Sequence, residues 1–342
     1  PYWKALFYKR IIHKNMLNSN NQLLNRLMNG KIILAIILLA FVIRIWDLGG
    51  NPPGLFRDEA DKGVTALSLA TTGRDLDGHL LPLFVRSLKV YTNSLYQYLL
   101  IPLVALLGLN EWMVRLPAVL AGTATVYCVY LLGREAYGQR TGWAAAAILA
   151  VSPWHVHFSR WANQGIFLPL WLTLCAYFLL RGRGPGVDEG DLIPIAPGGQ
   201  RFRPFFWSAV FMILALYTYA PAKVFVPLFF ILMVVIYWRD FFPASSSLRW
   251  PHFYKYLGLL LICSAPLIYF SVTQSEMMNL RYQRISIFSD NRGMLAVFVM
   301  FLQNYFAHLM PDFLVVHGDL NLRHSVLYTG QLLKPEALAL VF

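Results

Sequence analysis

Acidic side chains are sparse in this 342-residue chain, and they are unevenly placed. Seven of its 17 Asp and Glu residues (Asp47, Asp58, Glu59, Asp61, Asp75, Asp77 and Glu111) fall in or at the edge of one stretch. The densest part is Leu55-Phe-Arg-Asp-Glu-Ala-Asp-Lys62, which runs into Gly63-Val-Thr-Ala-Leu-Ser-Leu-Ala70. Ala60, Val64 and Leu67 share a helical face, so a helix is expected to start at Asp58. Asp58 can then meet Asp61 and Lys62, three and four residues on. Two readings stand side by side. Asp58 caps the helix and Glu59 complements its dipole, or Asp58 is a base that takes a proton from a hydroxyl.

The surroundings make the second reading worth pursuing. The chain is 57% hydrophobic and only 13% charged, against about 25% charged in soluble domains. Apolar runs place seven expected spans at roughly 31–48, 111–132, 142–158, 164–180, 204–220, 222–238 and 256–272, with an eighth beginning near 335. The fold class expected is an all-α polytopic membrane bundle. Segments 98–109 and 293–302 read as interfacial helices, the first too short to cross and the second interrupted by Gln303, Asn304 and His308. If 293–315 crosses instead, everything after it changes side. The start at Pro1 and the stop inside the apolar run 337–342 read as a fragment with a further span to follow.

Residues 1–30 form an acid-free basic tail. With that tail inside, segments 1–31, 133–141, 181–203 and 239–255 carry about half of the 29 Lys and Arg residues. The loops 49–110 and 273–334 then face the extracytoplasmic side. The formal net charge of +12 is scattered between apolar runs, so lipid headgroups are the expected partner and nucleic acid is not. Cys128, Cys175 and Cys263 lie in apolar runs and read as core residues. Acids beside an apolar bundle are costly unless they are paired or in a wet cavity, which makes 49–110 the place to look for chemistry.

The exit of the first span into Arg57-Asp58-Glu59-Ala60 resembles the GT-C glycosyltransferases, more closely their protein O-mannosyltransferase and aminoarabinose-transferase branch. Four further stretches are similar to bacterial members: Glu111–Gly122, Ser152–Arg160, Tyr217–Lys223, and Gly318–His324 with Gly330. The likeness runs from about residue 31 to the end, a domain 31–342 with 49–110 as its catalytic loop. It implies an inverting enzyme in a bacterial plasma membrane, with its N-terminus cytoplasmic and its active site outside. Such an enzyme moves a sugar from a polyprenyl-phosphate carrier to a protein, lipid or glycan acceptor. It maps the catalytic acid to Asp58 and the second member of the pair to Glu59. A divalent metal (Mg, Mn or Zn) serves some members and not others, and Asp58 with His79 are the ligands to test.

An inverting displacement also needs cations for the departing phosphate. The candidates are Arg57, Lys89, Arg160 and Arg323, with Asp319 and His324 where relatives close over the donor. Each has a plainer reading. Lys89 snorkels; Arg115 snorkels or pairs with Asp47 or Glu111; His79 sits in a solvated turn; His155 and His157 are interfacial rather than a metal pair. The sequence departs from relatives at Tyr91–Tyr98 and at Ala162-Asn-Gln164, which bears on donor and acceptor rather than on Asp58. A transporter or flippase would show acids at span centres, and none occurs there. A catalytically inactive relative is the third reading.

Overall fold

The computed structural model describes residues 28–87, 90–182, 202–236, 238, 250–274, 286–288, 292–321, 324 and 329–339. The tail to residue 27, Lys89, Arg323 and the loop 183–201 lie outside these residues. The first helix, α1, is Met28–Ile45. The 49–110 loop then folds as α2 (Arg57–Thr72), an antiparallel hairpin of β1 (Phe84–Ser87) and β2 (Val90–Asn93) with Phe84 opposite Asn93, and α3 (Leu95–Leu107). Next come α4 (Glu111–Tyr137), α5 (Gln139–Val151), α6 (Pro153–Ser159), a 3-10 turn at Gln164–Ile166, and α7 (Phe167–Gly182). After α8 (Phe202–Leu216) and α9 (Ala222–Ile236) follow α10 (Trp250–Thr273), α11 (Met294–Ala307) and α12 (Lys334–Ala339).

Among the described residues, five helical segments are long and apolar enough to cross a membrane: Met28–Ile45, Glu111–Tyr137, Gln164–Gly182, Tyr254–Thr273 and Met294–Val316. This differs from the expected seven in three places. The expected span 142–158 is two helices. Pro153 has no N–H and so cannot complete the helix across Ser152, but it suits the first turn of a new one. The described parts of α8 and α9 are 15 residues each, separated by a turn over Tyr217–Pro221. Met294–Val316, expected at the interface, has the length and hydropathy of a span.

The helix α4 is the spine: it packs against α2, α3, α5, α6 and α7. At about 1.5 Å per residue its 27 residues reach about 40 Å, enough to cross the bilayer. Its closest partner is α5, where a Cβ on Gly142 would lie 2.7 Å from Tyr130 O, so the two backbones touch.

Several connections meet at one end of the bundle. The Ala162 N–H, between α6 and α7, donates to Glu59 of α2 at 2.8 Å. From the hairpin, Asn93 Nδ2 donates to Leu216 O at the end of α8. Phe84 stacks on Phe270 of α10 with centroids 4.3 Å apart. His324 stacks on Phe158 of α6 at 5.9 Å. These segments thus meet at one end of the bundle, next to the acids.

Candidate active site

Glu59 and Arg115 are both completely buried and form a bidentate ion pair. Arg115 Nε donates to Glu59 Oε1 and Nη2 to Oε2, each at 3.0 Å. A guanidinium has five N–H donors, and here all five are used. Besides Glu59 they reach the carbonyls of Leu48 (2.8 Å), Pro52 (2.9 Å) and Gly54. A carboxylate accepts about four bonds, and Glu59 takes four. The other two come from Ala162 N at 2.8 Å and Phe56 N at 3.0 Å. A charge pair this deep is tolerable only when its remaining valences are met. One carboxylate therefore ties the exit of α1, the start of α2, the second turn of α4 and the α6–α7 strap into a single clamp.

The clamp revises three expectations. Glu59 was expected beside Asp58 in the chemistry; with every acceptor site taken and no exposed surface, it holds the loop. Arg115 pairs with Glu59 rather than with Asp47 or Glu111. The helix α2 starts at Arg57 with Phe56 as N-cap, so Asp58 is not the cap. Glu59 receives the N-cap N–H instead, which is half of a capping box. Successive helical residues point 100° apart. With Glu59 facing in, Asp58 lies to one side, half-buried in the positive first turn, and Arg57 is exposed. Lys62 Nζ reaches the Asp58 carbonyl at 3.1 Å. Gly63 lets α2 approach: a Cβ there would lie 2.6 Å from Leu109 Cδ1.

Arg160, expected on a phosphate, donates to the carbonyls of Ile43 (3.0 Å), Arg44 (3.3 Å), Asp47 (3.4 Å) and Asn51 (2.9 Å). Helix C-termini leave their last carbonyls unmatched. Arg160 and Arg115 between them cover those of α1 and its exit turn. No local pattern reveals such partners, because the acceptors are backbone.

A second buried guanidinium, Arg44, repairs the α5–α6 break. It donates to Leu149 O (3.2 Å), Ala150 O (2.8 Å), Ala40 O (2.9 Å) and Ser159 Oγ (3.2 Å), and contacts His155 Nδ1 at 2.8 Å. The helical partner of Leu149 O would be the N–H that Pro153 lacks, so Arg44 takes its place. Gly122 makes room: a Cβ there would lie 2.1 Å from Ser159 Oγ. His155, read as interfacial, is wholly buried.

His79 groups with Asp75 and Asp77, their ligating atoms within 4.8 Å of one another, and Asp58 is not among them. Asp75 Oδ1 already accepts from Asp77 N and His79 N, while Asp77 Oδ1 pairs with Arg86 at 2.5 Å. These bonds account for the cluster as a self-contained turn. His324 Nδ1 and Asp319 Oδ2 are 2.9 Å apart, and Asn321 N donates to Asp319 Oδ1. Burial pushes the Asp319 carboxyl up, but those bonds and the nearby imidazole outweigh it and hold it below its ordinary range.

One residue quoted only for its motif lines an apolar cavity. Lys223 is half-buried, with its ammonium 5.6 Å from the Phe84 ring centroid. It lines a cavity of about 450 Å³ between α8, α9 and α10, with Leu216, Phe230, Leu257, Leu261 and Ile268. Among the described residues it is the cavity's only charged lining group. A lysine at the head of an apolar run was the signal available.

The fold is that of the GT-C membrane glycosyltransferases of the protein-mannosyltransferase and ArnT type. Residues 94–270, just over half of the chain, match the family described as dolichyl-phosphate-mannose-protein mannosyltransferase, and the chain belongs to that family. No curated protein matches it. Among solved structures it is similar to ArnT from Cupriavidus metallidurans in the apo state, at 15% identity and a TM-score of 0.52, over 74% of this chain and 43% of that one. The same protein bound to undecaprenyl phosphate gives 17%, 0.50, 83% and 49%. The archaeal oligosaccharyltransferase AglB from Archaeoglobus fulgidus, in complex with an inhibitory peptide and a dolichol-phosphate, gives 14%, 0.53, 84% and 38%. At these identities the likeness is one of fold. The chain spans less than half the length of each. It is an integral membrane protein.

Proposed function

We infer that this chain carries the catalytic end of an inverting glycosyltransferase that uses a polyprenyl-phosphate-linked sugar. The observation that carries the reading is the saturated Glu59–Arg115 clamp, which fixes the first turn of α2 and leaves Asp58 at its rim. An acceptor hydroxyl attacks the anomeric carbon from the face opposite the phosphate. The new C–O bond forms as the bond to the phosphate oxygen breaks, the phosphate leaves with the electron pair, and the hydroxyl proton passes to Asp58. A positioned base of this kind contributes about 10²–10⁴ in rate.

The apolar cavity of α8–α10 suits the isoprenoid tail and Lys223 its phosphate, since a tail needs an apolar groove and a phosphate needs a cation. The resemblance adds Lys89 and Arg323 to the cations that serve the phosphate, with Asp319 and His324 closing over the donor; Arg57 is exposed next to Asp58 in the chain. The solved ArnT and AglB complexes, titled with undecaprenyl phosphate and dolichol-phosphate, support a lipid-phosphate donor. The acceptor is a protein, lipid or glycan on the extracytoplasmic side, with the N-terminus in the cytoplasm. The Asp75–Asp77–His79 turn could accept a divalent cation, and no step is routed through one.

The test is transfer from a panel of radiolabelled polyprenyl-phosphate sugars in liposomes, with the anomeric configuration of the product read by NMR. Inverted product from the wild type, and a drop of about 10²–10⁴-fold in Asp58→Asn, are expected. Retained configuration, or full turnover by Asp58→Asn, overturns the assignment.

A further inference from the structure

The apolar cavity of α8, α9 and α10 has two unlike ends. Lys223 and Leu216 line one, Phe230 and Leu257 the other. About two turns of α9, roughly 10 Å, separate Lys223 from Phe230. Phe230 stacks on Tyr256, the neighbour of Leu257, so the far end is closed by hydrocarbon and rings.

The lysine end carries the β1–β2 hairpin. Phe84 and Asn93 stand directly opposite each other in its register, so their side chains share a face. That face meets all three helices of the cavity. Asn93 Nδ2 donates to Leu216 O, at the end of α8, at 3.3 Å. The Phe84 ring centroid lies 5.6 Å from the Lys223 ammonium, at the start of α9. The same ring stacks on Phe270 of α10, with centroids 4.3 Å and planes 18° apart, and lies 6.4 Å from Tyr217. Tyr91 of β2 meets Phe270 edge-on at 5.1 Å.

The Phe84 ring is therefore held in place. It is 4% exposed, and Asn93 is 3% exposed. A lysine is not held by its own chemistry: its four-carbon stem is flexible and its ammonium is a point charge. An aromatic face attracts that charge. A fixed ring at this distance narrows the positions open to Nζ at the cavity's end. Binding costs less when the groups that meet a ligand are ordered beforehand.

We propose that Phe84 is a positioning residue. Its ring holds Lys223 at the head of the cavity, where the phosphate of a lipid with its tail in the cavity would lie. It thereby sets the preference for a phosphorylated over an unphosphorylated polyprenyl lipid. This rests on the reading of the cavity as the lipid-phosphate site given above. Phe84 acts through Lys223 and not on the lipid.

The test measures binding of undecaprenyl phosphate and of undecaprenol to the full chain in nanodiscs. Wild type is compared with Phe84→Leu, Phe84→Tyr, Lys223→Met and the double variant Phe84→Leu/Lys223→Met. Wild type should prefer the phosphate. Phe84→Leu stays apolar but loses the ring, and should lower that preference by about three- to thirtyfold, the range of a cation–π contact. Its affinity for undecaprenol should be unchanged. Phe84→Tyr keeps the ring and should keep the preference. Lys223→Met should lose the preference, and adding Phe84→Leu to it should remove nothing more, as expected when one residue acts through the other.

A preference intact in Phe84→Leu, or lost in Phe84→Tyr, overturns the role of Phe84. So does undecaprenol affinity that falls in step with that for the phosphate, or a further loss of preference in the double variant. Each of these leaves the lipid-phosphate reading in place. A wild type that binds both lipids equally, or a Lys223→Met protein that keeps the full preference, overturns both.

Discussion

Arg115 and Arg44 are both fully buried, and each spends all five donors, yet on different kinds of partner. Arg115 meets a carboxylate and three carbonyls of the α1 exit turn. Arg44 meets only neutral acceptors: carbonyls of α1 and α5, a serine and a histidine. The first centre is a charge pair that joins four chain segments beneath Asp58. The second is a patch over a proline break. The difference separates a residue that organises a site from one that repairs a helix, although both look alike as basic residues near an apolar run.

Changes that leave a charge stranded should separate the two centres most. Glu59→Ala leaves Arg115 buried and unpaired and should cost about 3–5 kcal/mol, read as a lowered thermal midpoint in detergent. Arg44→Met strands carbonyls but no charge and should cost about 1–3 kcal/mol. A cost above that of Glu59→Ala would erase the distinction. Adding Pro153→Ala to Arg44→Met returns an N–H to Leu149 O and should recover about 1 kcal/mol. A strictly additive double mutant would break the link between Arg44 and the helix break. The smallest effect belongs to the half-buried Asp319–His324 pair, where Asp319→Asn should cost less than about 1 kcal/mol. The folded carboxyl is held below its ordinary value. Its contribution is therefore complete above the ordinary carboxylate range and lost as pH falls through the lowered value, so the difference between variant and wild type should vanish in acid.

Much of this was legible in the sequence, and the reasons differ by element. The acids of 49–110 stood out because apolar surroundings make charge conspicuous, and Asp58 sits where the helix start was expected. The Glu59 burial was not legible: adjacent acids on a helix point 100° apart, which separates them without saying that either turns inward. What sequence could not show was its partner, 56 residues away in α4, nor that Arg160 and Arg44 bond to backbone carbonyls, which carry no residue identity. The 142–158 segment was read as one helix because apolar composition masked Pro153, whose missing N–H divides it in two. Lys223 was passed over because its cavity is made by three helices that meet only in the fold.

The central claim is that two neighbouring acids divide the work, Glu59 holding the loop and Asp58 doing chemistry. Thermal unfolding and sugar transfer, measured side by side for Asp58→Asn and Glu59→Gln, test it most directly. Asp58→Asn should unfold within a degree or two of wild type and lose transfer, while Glu59→Gln should lose stability. A Glu59→Gln protein as stable as wild type, or an Asp58→Asn protein that unfolds early and still turns over, would contradict it.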